Sequence, residues 1–473
     1  MKKKNPWSSP GDSAHSKVIF WVALILMYAS VGFCAITMFT LYRGDRFTPL
    51  TPAPISTGDA HTDDFRHLTW LLQERWSWLE MRTGEGLDLR ALEAESIAIY
   101  EEEGGERGFL RGLTRYLSGL SDGHAYVLLE GVDLKEDRQW PFCLIEVEEG
   151  IMVDGLCPTL YAMFLLEIGD LVLSVNGRPI GELIQEQERF ALASMPGTRR
   201  RMAIRDLTKS ARADSLQVEV LKMGATESVV IDVPTVSQEE PLPHLSWKSS
   251  LGAESHLAHV KIIDDQRAYL RIPDFSPKTP IAEGEPFRDE DFDESYDDYA
   301  NFFEQVAGRS DLILDLRSNE GGGDFLGQAL GLHLMPAGFR YLQMGRLQGG
   351  EWKTSPFWSD EYGRGEPRFD GRVICLIDEF SFSVTDNFTS CLRDERENVV
   401  FIGQPAGGGS GSPTAFELPG TGATVYFCTS RVTAPSGTYV EGHGVQPDIL
   451  VRATRADILA EADAFLEAAK ALR

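Results

Sequence analysis

Cysteine pairs and metal clusters are what this chain lacks most plainly. It has no C-x-x-C and no group of cysteine and histidine at metal-ligand spacing, so no metal site is expected. Of its 6 cysteines, Cys34 lies in the apolar N-terminal segment, and the others are too few and too scattered for a disulfide framework. Pairing among Cys375, Cys391 and Cys428, or of Cys143 with Cys157, stays open at this level. No glycine loop is followed by Lys-Ser/Thr, which removes the phosphate-binding loop, and no cofactor is expected. Positive charge is scarce too. With 72 acidic and 45 basic residues the net charge is -27, and such a field repels nucleic acid. One basic run, RRRMAIRDLTKSAR (Arg199 to Arg212), reads as a solvated face. Internal repeats are absent, and no lysine occurs between Lys353 and Lys470.

What is present begins with Val18 to Tyr42, a stretch without charge and long enough to cross about 30 Å of hydrocarbon. Lys2, Lys3, Lys4 and Lys17 precede it, so the positive-inside rule puts residues 1–17 in the cytoplasm and the rest outside. A cleaved signal peptide would have a shorter apolar region ending in a small-x-small site, and neither is found. The segment is therefore read as a single-pass inner-membrane anchor, with the remainder periplasmic or extracellular. A chain of 473 residues suggests about three domains.

Residues 43–62, with three prolines, read as a linker. Residues 63–139 have helical periodicity in FRHLTWLLQERWSWLEMR, LRALEAESIAIYEEE and FLRGLTRYLSGL, ending in the turn Ser121-Asp122-Gly123-His124. From 140 to 236 the pattern changes to strands, with one short helix near Ile184 to Leu192. IGDLVLSVNGRPI contains an Asn176-Gly177 hairpin turn. That segment resembles the PDZ domain, a module that binds chain ends by strand addition. Residues 237–473 alternate strands (AYLRIPDF, LILDLRSNEGGG, VICLID, VVFIG) with helices (YANFFEQVAG, DFLGQALGLHL). Such alternation implies crossover units and a parallel sheet covered on both faces, an α/β core.

The segment VICLIDEFSFSVTDNFTSCLRD, Val373 to Asp394, carries the strongest chemical signal. A buried strand leads into a helix through a turn containing Ser383, where backbone N–H groups and the helix dipole favour negative charge. Serines at such turns usually cap the helix, so the surroundings decide. DLRSNEGGG offers Gly321 and Gly322 N–H groups as one half of an oxyanion hole, with Val384 N–H as the other. His124, in a turn before a strand, is a candidate base, although a lone loop histidine is more often inert. Glu441 in YVEGHGVQPDILV could orient an imidazole, and adjacent His443 competes for the base role.

In this order, DLRSNEGGG, SFSVTD, GQPAGGGSG and EGHGVQPD resemble the tail-specific, or C-terminal-processing, serine peptidases. The resemblance implies a ClpP/crotonase-like catalytic core, the nucleophile at Ser383 and a polypeptide substrate. The best-known branch uses a Ser/Lys dyad, and the matching loop Gly403 to Ser410 has no lysine, so that mechanism is excluded. A tricorn-like branch uses serine with an early histidine and a late glutamate, which implies Ser383, His124 and Glu441. The Gly407 to Gly411 stretch is then expected to be a mobile lip, and Asp394, about 16 Å along the helix from Ser383, to be structural. A catalytically inactive, peptidase-shaped scaffold or ligand binder is the alternative. Oligomeric state is left undefined.

Overall fold

Short runs of β-branched and large apolar residues build the central sheet of the computed structural model, which describes residues 51–157, 166–240, 259–277, 289–348, 350–357 and 366–472. Strands Arg267–Arg271, Asp311–Asp315, Arg372–Ile377, Val399–Gly403 and Ile449–Leu450 lie side by side in parallel, and His259–Ile262 closes one edge antiparallel. Alternation sorts their side chains to two faces. Leu312, Leu314, Val373, Cys375 and Ile377 face a core shared with helices Asp324–Leu334 and Val384–Glu395. Ile313, Ile374, Leu376 and Ile402 face the C-terminal helix Ala464–Ala471. Cover on both faces explains why these strands read as continuous apolar runs.

The predicted helical region forms helices Ala60–Arg75, Leu79–Gly84, Leu89–Glu103 and Gly105–Gly119. The first predicted helix is broken at Trp76, whose N–H still bonds to Leu72 while its backbone turns extended. Its core is not self-sufficient. Phe65, Leu68, Trp78, Phe109 and Leu113 pack with Leu418, Val425 and Phe427 from near the far end of the chain. Strand Tyr126–Leu128 joins this arrangement by pairing with Thr424–Cys428, Tyr126 opposite Tyr426 with their rings stacked at 4.1 Å. That pairing carries the turn before it, with His124, toward the C-terminal sheet.

Residues 140–236 form a second antiparallel sheet, in the order Phe142–Val147, Gly150–Leu156, Leu171–Val175, Ser215–Leu221, Val229–Pro234. Asn176 and Gly177 both take positive φ, 51° and 75°, as a tight hairpin turn requires. The expected helix near Ile184 runs earlier, over Ile180–Glu188, and a second, Pro196–Leu207, takes most of the basic run. Cys143, Cys157, Cys375, Cys391 and Cys428 are free and buried, so neither proposed pairing forms. The predicted anchor, residues 18–42, lies outside the described residues, and among the described residues no helix is long and apolar enough to cross a membrane.

Candidate active site

Strand Arg372–Ile377 ends at Asp378, and the chain turns sharply before helix Val384–Glu395 begins. Ser383 occupies the turn with φ 60° and ψ -116°, a strained conformation for a residue with a Cβ. The neighbours enforce it. Phe382 N–H donates to the Asn319 carbonyl at 2.9 Å, and Ser381 Oγ donates to the Leu316 carbonyl at 2.9 Å. The Ser383 side chain makes no capping hydrogen bond. Its Oγ lies instead 3.1 Å from His124 Nε2, so the routine explanation of this serine, a helix cap, fails.

His124 reaches Ser383 from the other end of the chain. Its ring packs on Phe382 at 4.7 Å between centroids. Burial pulls the imidazole below its ordinary titration range, with the Asp122 charge opposing, which favours the neutral ring. Nε2 accepts the Ser383 proton only if Nδ1 carries the ring hydrogen. Nδ1 is buried without a hydrogen-bond partner among the described residues.

Two carboxylates stand in the cluster. Glu441 is fully buried, with Oε1 accepting Gly123 N–H at 2.9 Å and Oε2 accepting Ser410 N–H at 2.7 Å. Burial, then the Asp122 charge, pushes it well above the usual carboxylate range. Asp122 is the residue that sequence reasoning missed, although it sits in the Ser121-Asp122-Gly123-His124 turn. It is buried and accepts the His124 main-chain N–H, the Trp76 indole N–H and the Cys428 main-chain N–H, each at 2.9 Å. One polar atom from each of Asp122, His124, Cys428 and Glu441 falls within 4.8 Å of the others. Both carboxylates are already committed to N–H donors, the set of a proton-handling cluster rather than a metal cage. His443 Nδ1 lies 3.0 Å from the Glu441 carbonyl, while the imidazole at the nucleophile is that of His124.

Gly321 presses against the nucleophile. A Cβ there would stand 2.7 Å from Ser383 Cβ and 2.8 Å from Val384 N, and its φ is +101°. Its N–H is already donated to Asn319 Oδ1 at 2.9 Å, which takes Gly321 out of the expected oxyanion pair. Gly322 and Val384, the latter at the first position of its helix, remain. The expected mobile lip is corrected: Gly407, Gly408 and Gly409 are buried. Gly407 N–H bonds to the Ser381 carbonyl, Gly442 N–H to the Gly408 carbonyl, and Gly409 N–H to Asp386 Oδ2. Asp394 is structural, as expected, accepting Ser436 N–H at 2.8 Å.

Asp386, fully buried three residues after the nucleophile, is raised by burial from 3.8 to about 8. A carboxyl raised on folding favours the fold fully below its unfolded value and loses that contribution as pH rises toward the folded value. Wild type should therefore lose up to about 1.4 kcal/mol per pH unit between about pH 4 and 8 relative to Asp386→Asn. Denaturant melts of both proteins across that range check this. Parallel stability profiles would contradict it.

Residues 266–451 match the model of peptidase family S41. The chain carries a peptidase family S41 domain. Serine-type peptidase chemistry, expected from the tail-specific resemblance, is thus borne out at the level of this family. No curated protein matches the chain by sequence. Among solved structures, mature CPAF complexed with lactacystin aligns with a TM-score of 0.67 at 16% identity, covering 87% of this chain and 97% of that one. A putative peptidase from Parabacteroides merdae aligns with a TM-score of 0.51 at 16% identity, covering 87% and 96%. At these identities the likeness is one of fold.

Within the basic run, expected to be a solvated face, Arg199 and Arg201 turn inward and Arg201 clamps the S41 domain, while the Arg212 side chain stays 75% exposed. Arg201 Nη1 donates to Asp378 Oδ2 and Glu379 Oε2, both at 2.8 Å, with its guanidinium 4.3 Å above the Phe380 ring. Arg199 donates to the Ser118 and Ala193 carbonyls and to Ser121 Oγ, at the start of the His124 turn. Ser194 Oγ donates to the Gly408 carbonyl at 2.8 Å. One helix and the loop before it thus touch the nucleophile strand, the histidine turn and the glycine loop. Composition alone hid this, because a run of arginines looks the same solvated or paired.

Proposed function

We propose that this chain is a membrane-anchored serine endopeptidase that hydrolyses extracytoplasmic polypeptides. The observation that carries the reading is the 3.1 Å approach of His124 Nε2 to Ser383 Oγ, two side chains 259 positions apart in sequence. No routine capping or packing role needs that contact. In the reaction, Ser383 Oγ bonds to the scissile carbonyl carbon as its proton passes to His124 Nε2. The carbonyl π pair moves to oxygen, where Val384 and Gly322 N–H groups receive it; one such donor is worth about 3–4 kcal/mol in comparable sites. His124 then returns the proton to the leaving amine, and water repeats the sequence on the acyl-enzyme. Glu441 completes the cluster behind the imidazole, in keeping with the Ser/His/Glu branch.

The apolar Val18 to Tyr42 stretch, with lysines on its N-terminal side, supports the anchor and an extracytoplasmic catalytic domain. The antiparallel region 140–236 is suited to hold an extended substrate by strand addition, the PDZ-like role. Incubation of the full chain in detergent with an unfolded polypeptide tests the activity. New amino termini should appear with wild type and vanish with Ser383→Ala. Equal cleavage by both proteins would remove Ser383 from the chemistry.

A further inference from the structure

The first turn of the nucleophile helix buries Asn387, a side chain that helix propensity and burial both disfavour unless its amide is bonded. Its main-chain N–H donates to the Ser383 carbonyl at 3.0 Å, so it moves with the nucleophile. The amide reaches two other segments. Nδ2 donates to Asp324 Oδ1 at 2.8 Å, and Oδ1 accepts the Ser410 hydroxyl at 2.6 Å. Burial lifts the Asp324 carboxyl to about 6, with the Asn387 bond opposing, so near pH 8 it is ionised and only accepts. The amide orientation is thereby fixed, nitrogen toward Asp324 and oxygen toward Ser410.

Each partner leads to one part of the machinery. Asp324 opens helix Asp324–Leu334 directly after Gly323, two residues beyond the oxyanion donor Gly322. Gly323 N–H goes to the Phe275 carbonyl and Gly321 N–H to Asn319 Oδ1, so Gly322 stands between two fixed neighbours. The second donor, Val384 N–H, lies on the helix of Asn387 itself. The Asn387–Asp324 bond therefore spans the two segments that carry the oxyanion donors. Ser410 leads the other way: its main-chain N–H is the one that Glu441 Oε2 accepts at 2.7 Å. Asp386, one residue earlier, takes Gly409 N–H, so the helix start holds the glycine loop at two adjacent points.

We propose that Asn387 is a positioning residue that ties both oxyanion donors and the Glu441 carboxylate to the nucleophile helix. The inference deepens the Ser383–His124 reading and rests on it. Asn387 acts through Asp324 and Ser410, and no proton passes through it. It fixes where Gly322 N–H and Glu441 stand as charge develops on the carbonyl oxygen.

The test is phosphonylation of Ser383 by a fluorophosphonate in the full chain near pH 8. Two quantities are read: the limiting rate at saturating probe, and the fraction of chains that label. The phosphoryl oxygen takes the oxyanion position, so the limiting rate depends on both donors being in register. Asn387→Ala should lower that rate about 100-fold, the cost of about 1 Å of misplacement, with the half-saturating probe concentration little changed. Asp324→Ala should lower it too. Asp324→Asn, which keeps an acceptor for Nδ2, should recover about tenfold or more over the alanine variant. A merely structural role predicts the opposite pattern, fewer chains labelled but each at the wild-type limiting rate. That pattern would overturn the proposal, as would equal limiting rates in Asp324→Ala and Asp324→Asn. Should Asn387→Ala fail to fold, the two Asp324 variants decide. Wild type that takes up no label would sink the Ser383–His124 reading and the inference with it, whereas labelled wild type with unslowed variants sinks the inference alone.

Discussion

Alanine at Gly321 will cost the chain its hydrolytic activity by about a hundredfold or more while leaving it folded. The added methyl would meet Ser383 Cβ at 2.7 Å, Val384 N at 2.8 Å and the Phe382 carbonyl at 2.9 Å. None of these is the end of a flexible side chain, so relief requires shifting the turn itself. A φ of +101° adds strain for any residue with a Cβ. The shift moves Oγ away from His124 and Val384 N–H away from the oxyanion. Loss of one such donor costs about 10²–10³ in kcat, and a 1 Å misplacement costs about 10². Overpacking should lower stability by about 1–3 kcal/mol. Peptide hydrolysis rates and a denaturant melt on the same preparation check both. Activity within tenfold of wild type would show that this glycine does not set the nucleophile's position.

Arg201→Met should destabilise the protein by about 3 kcal/mol and slow hydrolysis together. The guanidinium is half-buried and bridges Asp378 and Glu379, so its removal leaves two carboxylates without their cation. Burial already raises Glu379, whereas Asp378 is lowered despite burial by Arg201 and the Ser318 hydrogen bonds. Asp378 is also the anchor of the nucleophile turn. It accepts Ser318 N–H at 2.7 Å and Phe380 N–H at 3.1 Å, linking the glycine segment to the strand end. Activity should therefore fall even at temperatures where the variant remains folded. Arg201→Lys, which keeps the charge but not the fork, should recover part of the stability. A methionine variant as stable as wild type would mean that the ion pair makes no net contribution.

Much of this architecture was legible because the signals were local. Buried parallel strands appear as uninterrupted apolar runs such as VICLI, and LRALEAESIAIYEEE forms a helix over the same residues that its spacing predicts. Asn176-Gly177 announced its hairpin through turn chemistry alone. Ser383 and His124 are each ambiguous by themselves, and the absence of lysine between Lys353 and Lys470 is what leaves the histidine as the base. Features created by distant packing were not legible. Asp122 looks like an ordinary turn aspartate until Trp76 and Cys428 bring their N–H groups to it. Arg201 looks like surface charge until the end of the nucleophile strand meets it. The glycines of 407–409 suggested mobility, yet their small size serves close packing: a Cβ on Gly409 would lie 1.8 Å from the Phe382 ring. Gly321 failed as an oxyanion donor for a reason equally nonlocal in effect, because Asn319 Oδ1 takes its N–H.

Activation of the late Ser383 alcohol by the early His124 imidazole is read out by mass spectrometry of Ser383 after brief exposure to a fluorophosphonate. Wild type should be phosphonylated stoichiometrically at Ser383, and His124→Ala should react at a rate lower by about 10³-fold or more with the fold intact. Equal labelling of the two proteins, or a folded wild type that takes up no label, would contradict it and leave a peptidase-shaped binding protein.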